Sequence, residues 1–143
     1  MKALLSLLTL GLFAVAPAAE PDTRLFEMRV YYAAEGKLDA LNARFRDHTL
    51  KLFAKHGITN LPYWTPHADQ KGANNPPDPE NTLIYMVAHK DEAARKASFD
   101  AFGKDADWQT ARKASEEKAG GSLTVKGGVK STYLKAVDFS PIK

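Results

Sequence analysis

Leu38, Leu41, Phe45, His48 and Leu52 recur at spacings of three, four, three and four, the period of a helix that buries one face. The helix opens after Gly36, runs to about residue 56 and stops at Gly57, the residue type best suited to a left-handed C′ position. Its stripe predicts an inward-facing imidazole at His48. Ahead of it, residues 24–33 alternate with period two: Phe26, Met28, Val30 and Tyr32 share one side of a strand, and Leu25, Glu27, Arg29 and Tyr31 the other. Residues 58–64 form a second strand that Pro62 confines to an edge or a bulge. Residues 65–81 carry four prolines and fit neither periodicity, so they are a loop. Residues 82–89 (TLIYMVAH) are apolar on nearly every position, which predicts a strand covered on both faces. Asp91 caps a helix reaching Phe102 and Gly103, and Asp105 caps another that passes through Trp108 to about residue 119. Their inward positions are Ala94, Phe99, Phe102, Trp108 and Ala111. Residues 123–139 supply a last strand, broken at Gly127 and Gly128.

The order strand, helix, strand, strand, helices, strand predicts an α+β, ferredoxin-like βαββαβ domain with a four-stranded antiparallel sheet and helices on one face. Strands one and three then lie in the middle. Helices protect only one side of such a sheet, and the expectation is that Tyr85 and its like on the other side are sheltered by a second subunit packed sheet against sheet.

The chain begins Met1-Lys2, continues uncharged from Ala3 to Val15 and reaches Ala16-Pro17-Ala18-Ala19 before its first acid, Glu20. A basic start, a short apolar core and small residues at A-x-A spacing predict a secretory signal over residues 1–18, cleaved after Ala18, and a single domain over residues 24–140. Gly11 and Pro17 argue against an uncleaved anchor helix, so export to periplasm or medium without a stable membrane anchor is expected. The chain has no cysteine, which removes disulfides, thiolate metal sites and cysteine nucleophiles together. Its formal charge is only +3, and basic residues such as Arg44, Arg46 and Lys51 alternate with acids on what reads as helix surface. No phosphate-binding stripe emerges, so nucleic acid is not an expected partner.

The stretch Phe26-Glu27-Met28-Arg29-Val30-Tyr31, then Gly36-Lys37, Phe45, His48, Lys55-His56-Gly57-Ile58 and Tyr63-Trp64-Thr65, resembles the NIPSNAP domain. Leu83-Ile84-Tyr85, Arg95, Phe99, Asp107-Trp108-Gln109 and Asp138-Phe139-Ser140-Pro141 resemble its second half. The resemblance implies a dimeric α+β barrel, in which two ferredoxin-like subunits face each other through their sheets. That wider fold includes cofactor-free monooxygenases, isomerases and haem-binding enzymes. Leu61 and Pro62 depart from the family pattern, where small residues are usual.

An inward His48 is a general base, a donor to a carbonyl or a haem ligand, or else a hydrogen-bonded core histidine. Glu27, Arg29 and Tyr31 share a strand face and either line a polar site or form the ion pairs of a dimer interface, the simpler of the two. Trp64, Tyr63 and Tyr85 are flat apolar walls for an aromatic ligand or ordinary core. His56, in the last helical turn, is a partial cap. His67 and Asp69, with His89 or Glu80, fall short of a metal site, and the glycine pairs are turns rather than a phosphate loop. No cofactor is called for. The expectation is an exported homodimer holding a small apolar or aromatic molecule in a helix–sheet pocket, with His48 at its centre and Trp64, Tyr85, Tyr31 and Arg29 around it. The alternatives are a cofactor-free monooxygenase- or isomerase-like enzyme using His48, and a non-catalytic dimeric scaffold.

Overall fold

The structure, a computed structural model, describes residues 24–69 and 78–142. The expected signal over residues 1–18 and the middle of the loop lie outside the described residues. Strands β1 (Leu25–Ala33), β2 (Thr59–Trp64), β3 (Thr82–His89) and β4 (Thr124–Leu134) form one antiparallel sheet in the order β2-β3-β1-β4. Helices α1 (Leu38–Arg44), α2 (Leu50–Lys55), α3 (Glu92–Lys104) and α4 (Ala106–Lys118) pack on one face of it. This is the expected α+β, ferredoxin-like architecture.

Local chemistry explains most boundaries. Gly57 takes φ 74° beyond α2, where a side chain would be strained. Asp91 accepts a hydrogen bond from the Ala94 amide at 2.7 Å, and Asp105 accepts from those of Asp107 at 2.8 Å and Trp108 at 3.3 Å, so each begins its helix by satisfying free N–H groups. β2 is an edge strand, and its pairing slips between Asn60 and Tyr63, the Leu61–Pro62 segment. A proline without an amide hydrogen is tolerated there. The last strand is shorter than the expected 123–139. Its pairing with β1 shifts between Tyr31 and Ala33, where Gly127 adopts φ 69° and a Cβ on Gly128 would meet Val125 Cγ2 at 2.6 Å and the Tyr32 carbonyl oxygen at 2.9 Å. Only glycine fits so close an approach of two strands.

α1 and α2 are parts of one helix joined by a π-helical turn, Phe45–Thr49. That turn overturns the prediction for His48. The extra residue of an i→i+5 turn advances the helix face, so Arg44, Phe45 and Thr49 are buried and His48 is exposed to solvent. The Thr49 hydroxyl donates to the Arg44 carbonyl at 3.2 Å, inside this turn.

The two sides of β1 are assigned by its partners. Glu27, Arg29 and Tyr31 stand opposite Val87, Tyr85 and Leu83 and face the helices, where Leu41, Phe45, Phe53 and Phe102 complete the core. The expectation that they form ion pairs of a dimer interface is therefore corrected. Tyr85 is buried within the subunit and does not need a second one for shelter. The side left without helices is that of Met28, Val30, Ile84 and Met86.

Candidate functional site

Three residues expected to share one pocket lie on three different surfaces. His48 faces solvent in a shallow groove between the α1–α2 helix and α4, beside Ala111 and Ala114. Trp64 is 47% exposed on the helix-free side of the sheet, opposite Ile84 and close to Phe26 and Met86. Its position follows from the slip in β2: one extra residue brings Asn60 and Tyr63 to the inner face together and turns Trp64 outward. Tyr85 is inside, and there it does meet Tyr31 and Arg29.

The interior carries a cavity of about 290 Å³ between sheet and helices. Its walls are Tyr31, Phe45, Phe53, Phe99, Phe102 and Trp108, in a continuous set of ring contacts: Phe45–Tyr31 at 5.5 Å, Phe53–Phe99 at 5.8 Å, Phe53–Phe102 at 4.8 Å and Phe102–Trp108 at 4.5 Å. Tyr85 lies behind them, stacked on Tyr63 at 5.0 Å and 11°. Tyr63 donates to Asn60 Oδ1 at 2.6 Å, and Asn60 Nδ2 donates to the Leu50 carbonyl at 2.9 Å, which ties β2 to α2. Burial pushes the Tyr85 phenol well above its ordinary pKa, so it stays neutral, and its hydroxyl has no hydrogen-bond partner among the described residues.

Arginines supply the polar part of the lining. Arg29 lies over the Phe99 ring at 4.8 Å, and Arg44 over Trp108 at 5.3 Å. Behind Arg29 stands Glu27, which is 0% exposed. Arg95, from α3, grips Glu27 with both branches: Nε donates to Oε2 at 2.7 Å and a terminal nitrogen donates to Oε1 at 3.1 Å. Arg29 Nε is 3.4 Å from Oε1, and His89 Nε2 is 3.7 Å from Oε2. Burial alone raises the Glu27 carboxyl, but His89, Arg95, Ser131 and the Arg29 charge outweigh it and bring it down to about 2. Burial also acts to lower Arg29, and there Tyr85, Tyr31 and Glu27 prevail and hold it above its ordinary value. Arg44 goes the other way: burial lowers it, and Glu116, 3.5 Å from its terminal nitrogen, compensates only in part.

Four donor atoms at or beside the cavity are thus buried without a hydrogen-bond acceptor among the described residues: Arg29 Nε, Arg44 Nε, one Arg44 terminal nitrogen and Tyr85 Oη. Buried donors are normally satisfied, and those of a cation are the costliest to leave unpaired. Two of these residues, Arg29 and Tyr85, were legible in the sequence. Arg44 was missed and read as surface charge, although it stands three residues after Leu41, at the edge of the apolar stripe. Glu27 was singled out with Arg29 and Tyr31 on one strand face, but its partner Arg95 was seen only within the family pattern, since a pair 68 residues apart leaves no local signal.

Elsewhere, His56 Nε2 donates to Asp105 Oδ2 at 2.7 Å, and Lys55 Nζ meets the same oxygen at 2.7 Å. These two contacts hold the Asp105 carboxyl well below the usual range. His56 thus joins α2 to α4 and takes no part in the cavity. His89 is buried in the sheet, far from the exposed His67. Among the described residues, no three His, Asp or Glu side chains gather to hold a metal ion, and no helix is long and apolar enough to cross a membrane.

The NIPSNAP family profile matches residues 26–141. No curated protein matches the chain. Among solved structures, a NIPSNAP family protein of unknown function from Agrobacterium tumefaciens is 15% identical and superposes with a TM-score of 0.67 over 87% of this chain and 97% of its own. A NIPSNAP-like domain protein from Burkholderia xenovorans is 14% identical, with a TM-score of 0.65 over 84% of this chain and 90% of its own. The fold extends to SnoaB, a cofactor-independent oxygenase from Streptomyces nogalater, at 11% identity and a TM-score of 0.53 over 83% of this chain and 98% of that one. With the profile running from the first strand to the residues beyond the last, and the same sheet and helices in solved members, the chain belongs to the NIPSNAP family.

Proposed function

We propose that this protein binds a small, flat, largely apolar molecule in the cavity between its sheet and its helices. The observation that carries the reading is an aromatic-walled space of about 290 Å³ flanked by buried donors that lack acceptors. Ligand pockets are mostly apolar with a few convergent polar groups, and a space this size sits at the small end of their range, suited to about one or two rings. His48 is outside the space and plays no part in it.

Two features frame this activity. The helix-free side of the sheet offers Met28, Val30, Ile84 and Met86 with Trp64 at the edge and Lys130 beside Val30, a largely apolar surface that suits a second copy of the chain related by a two-fold axis. The basic, apolar and A-x-A pattern over residues 1–18 supports export.

Calorimetric titration with naphthamide, a neutral two-ring probe, tests the binding reading. Saturable binding accompanied by a raised Tm is expected. A flat titration, with Tm unmoved at saturating probe, would remove the proposal. Sedimentation of the mature chain tests the assembly: a dimer is expected, and a folded monomer at high concentration overturns it.

A further inference from the structure

We infer that the ligand of the helix–sheet cavity carries one anionic oxygen head group, a carboxylate or an equivalent oxyanion on an aromatic body, received by Arg29 and Arg44. This deepens the binding reading above and rests on it.

The argument is a count of charge and of acceptors. Three guanidinium groups, those of Arg29, Arg44 and Arg95, meet two carboxylates in this interior, those of Glu27 and Glu116, and the exposed Arg112 shares the second. Both Glu27 oxygens accept from Arg95, and Arg29 Nε, 3.4 Å from Oε1, gains attraction without a hydrogen bond. Glu116 is likewise engaged, since its Oε1 accepts from Arg112 Nε at 3.2 Å and stands 3.5 Å from Arg44. The Arg44 side chain is only 6% exposed, yet Nε and one terminal nitrogen have no acceptor among the described residues. A buried cation in that condition destabilises the fold unless something neutralises it.

The local backbone is shaped for this. A regular helix through Leu41 and Phe45 would leave Arg44 at the margin of the buried face. The π-helical turn beginning at Phe45 brings Arg44, Phe45 and Thr49 inward together and so places a cation beside an aromatic wall. Arg44 Cζ then lies 5.3 Å from the Trp108 ring centre and Arg29 Cζ 4.8 Å from that of Phe99, so both guanidinium groups stand against the aromatic walls with N–H groups that no acceptor among the described residues takes. Glu27, held by Arg95, is a positioning residue that orients Arg29.

Naphthoate and naphthamide, equal in shape and different in charge, are titrated calorimetrically into the mature protein at neutral pH, with acetate as the head group alone. Naphthoate is expected to bind about tenfold more tightly than naphthamide or better, the margin of a charge-assisted contact over a neutral one. Arg44→Gln is expected to erase that preference, bringing naphthoate down to the affinity of naphthamide measured in the same variant. Equal affinity of the two naphthalenes in the unaltered protein overturns the anionic head group but leaves the cavity reading intact. Failure of both to bind overturns the cavity reading itself. Acetate binding as tightly as naphthoate shows that the aromatic body contributes nothing, which also sinks the proposal. Because the comparison is made first in the unaltered protein, loss of folding in Arg44→Gln cannot hide the answer.

Discussion

The two sides of the one sheet are built in opposite styles. The side beneath the helices combines the core residues Leu83, Tyr85 and Val87 with a buried polar group, Glu27, Arg29 and His89, all largely withdrawn from water. The side without helices, where polar residues would be usual, carries Phe26, Met28, Val30, Ile84 and Met86 on β1 and β3, with Thr132 and Lys130 of β4 beside them. An antiparallel sheet with one wet face is ordinarily apolar inside and polar outside. The difference here is that each side also carries what that rule would place on the other: buried charge beneath the helices and a largely apolar surface away from them.

The comparison breaks most readily at Glu27. Glu27→Ala leaves Arg95 and Arg29 without their carboxylate, and a loss of about 3–5 kcal/mol of stability is expected in urea unfolding. A loss below about 1 kcal/mol would mean that the inner charges are well solvated, and the contrast between the faces would fail. Acid tests the same group more gently. The folded carboxyl titrates near 2, below its ordinary 4.5, so its contribution is fully present above about pH 4.5 and is lost as pH falls through 2. That contribution amounts to about 3 kcal/mol, and the stability gap between the unaltered protein and Glu27→Gln should close over this window. A gap independent of pH would assign the loss to packing.

On the outer side, Met86 pairs with Met28 near the middle of the apolar surface. Met86→Lys is expected to weaken dimerisation by about a hundredfold, roughly 3 kcal/mol, while circular dichroism stays unchanged. A dimer of undiminished affinity would place the contact elsewhere. The smallest effect belongs to the exposed imidazole. His48→Ala should change stability by less than about 0.5 kcal/mol and leave naphthoate binding untouched. Loss of binding would instead make the outer helix groove the site.

Features with a local cause could be read from the chain. Asp91 and Asp105 cap their helices because a short carboxylate satisfies the next free amides, Gly57 ends α2 because it alone tolerates φ 74°, and Pro62 marks an edge strand because it lacks an N–H. The apolar run of residues 82–89 announced a central strand, and β3 lies inside the sheet between β2 and β1. What escaped were two insertions of a single residue. The π-helical turn rotates His48 out and draws Arg44 in, and the slip at Leu61–Pro62 exchanges Tyr63 and Trp64 between faces. Each leaves the periodic pattern nearly intact over the few residues on either side, so the phase changes without a visible break. The direction of β1 escaped for another reason. Its charged side is tolerable inside only because Arg95, contributed from α3, neutralises Glu27, and the spacing of residues 24–33 knows nothing of that partner.

Asp105 pins one end of α4. One carboxylate joins the end of α2, through Lys55 and His56, to the amides that begin α4, and Trp108 stands one turn from that knot. Lifting this end of α4 would break all of these contacts together, so it behaves as a hinge pin. The cavity's exposed margin lies at the other end, at Arg112, Ser122 and Val129. The cavity therefore opens at the gap between the far half of α4 and the start of β4, and amide hydrogens there should exchange sooner than those beside the pin.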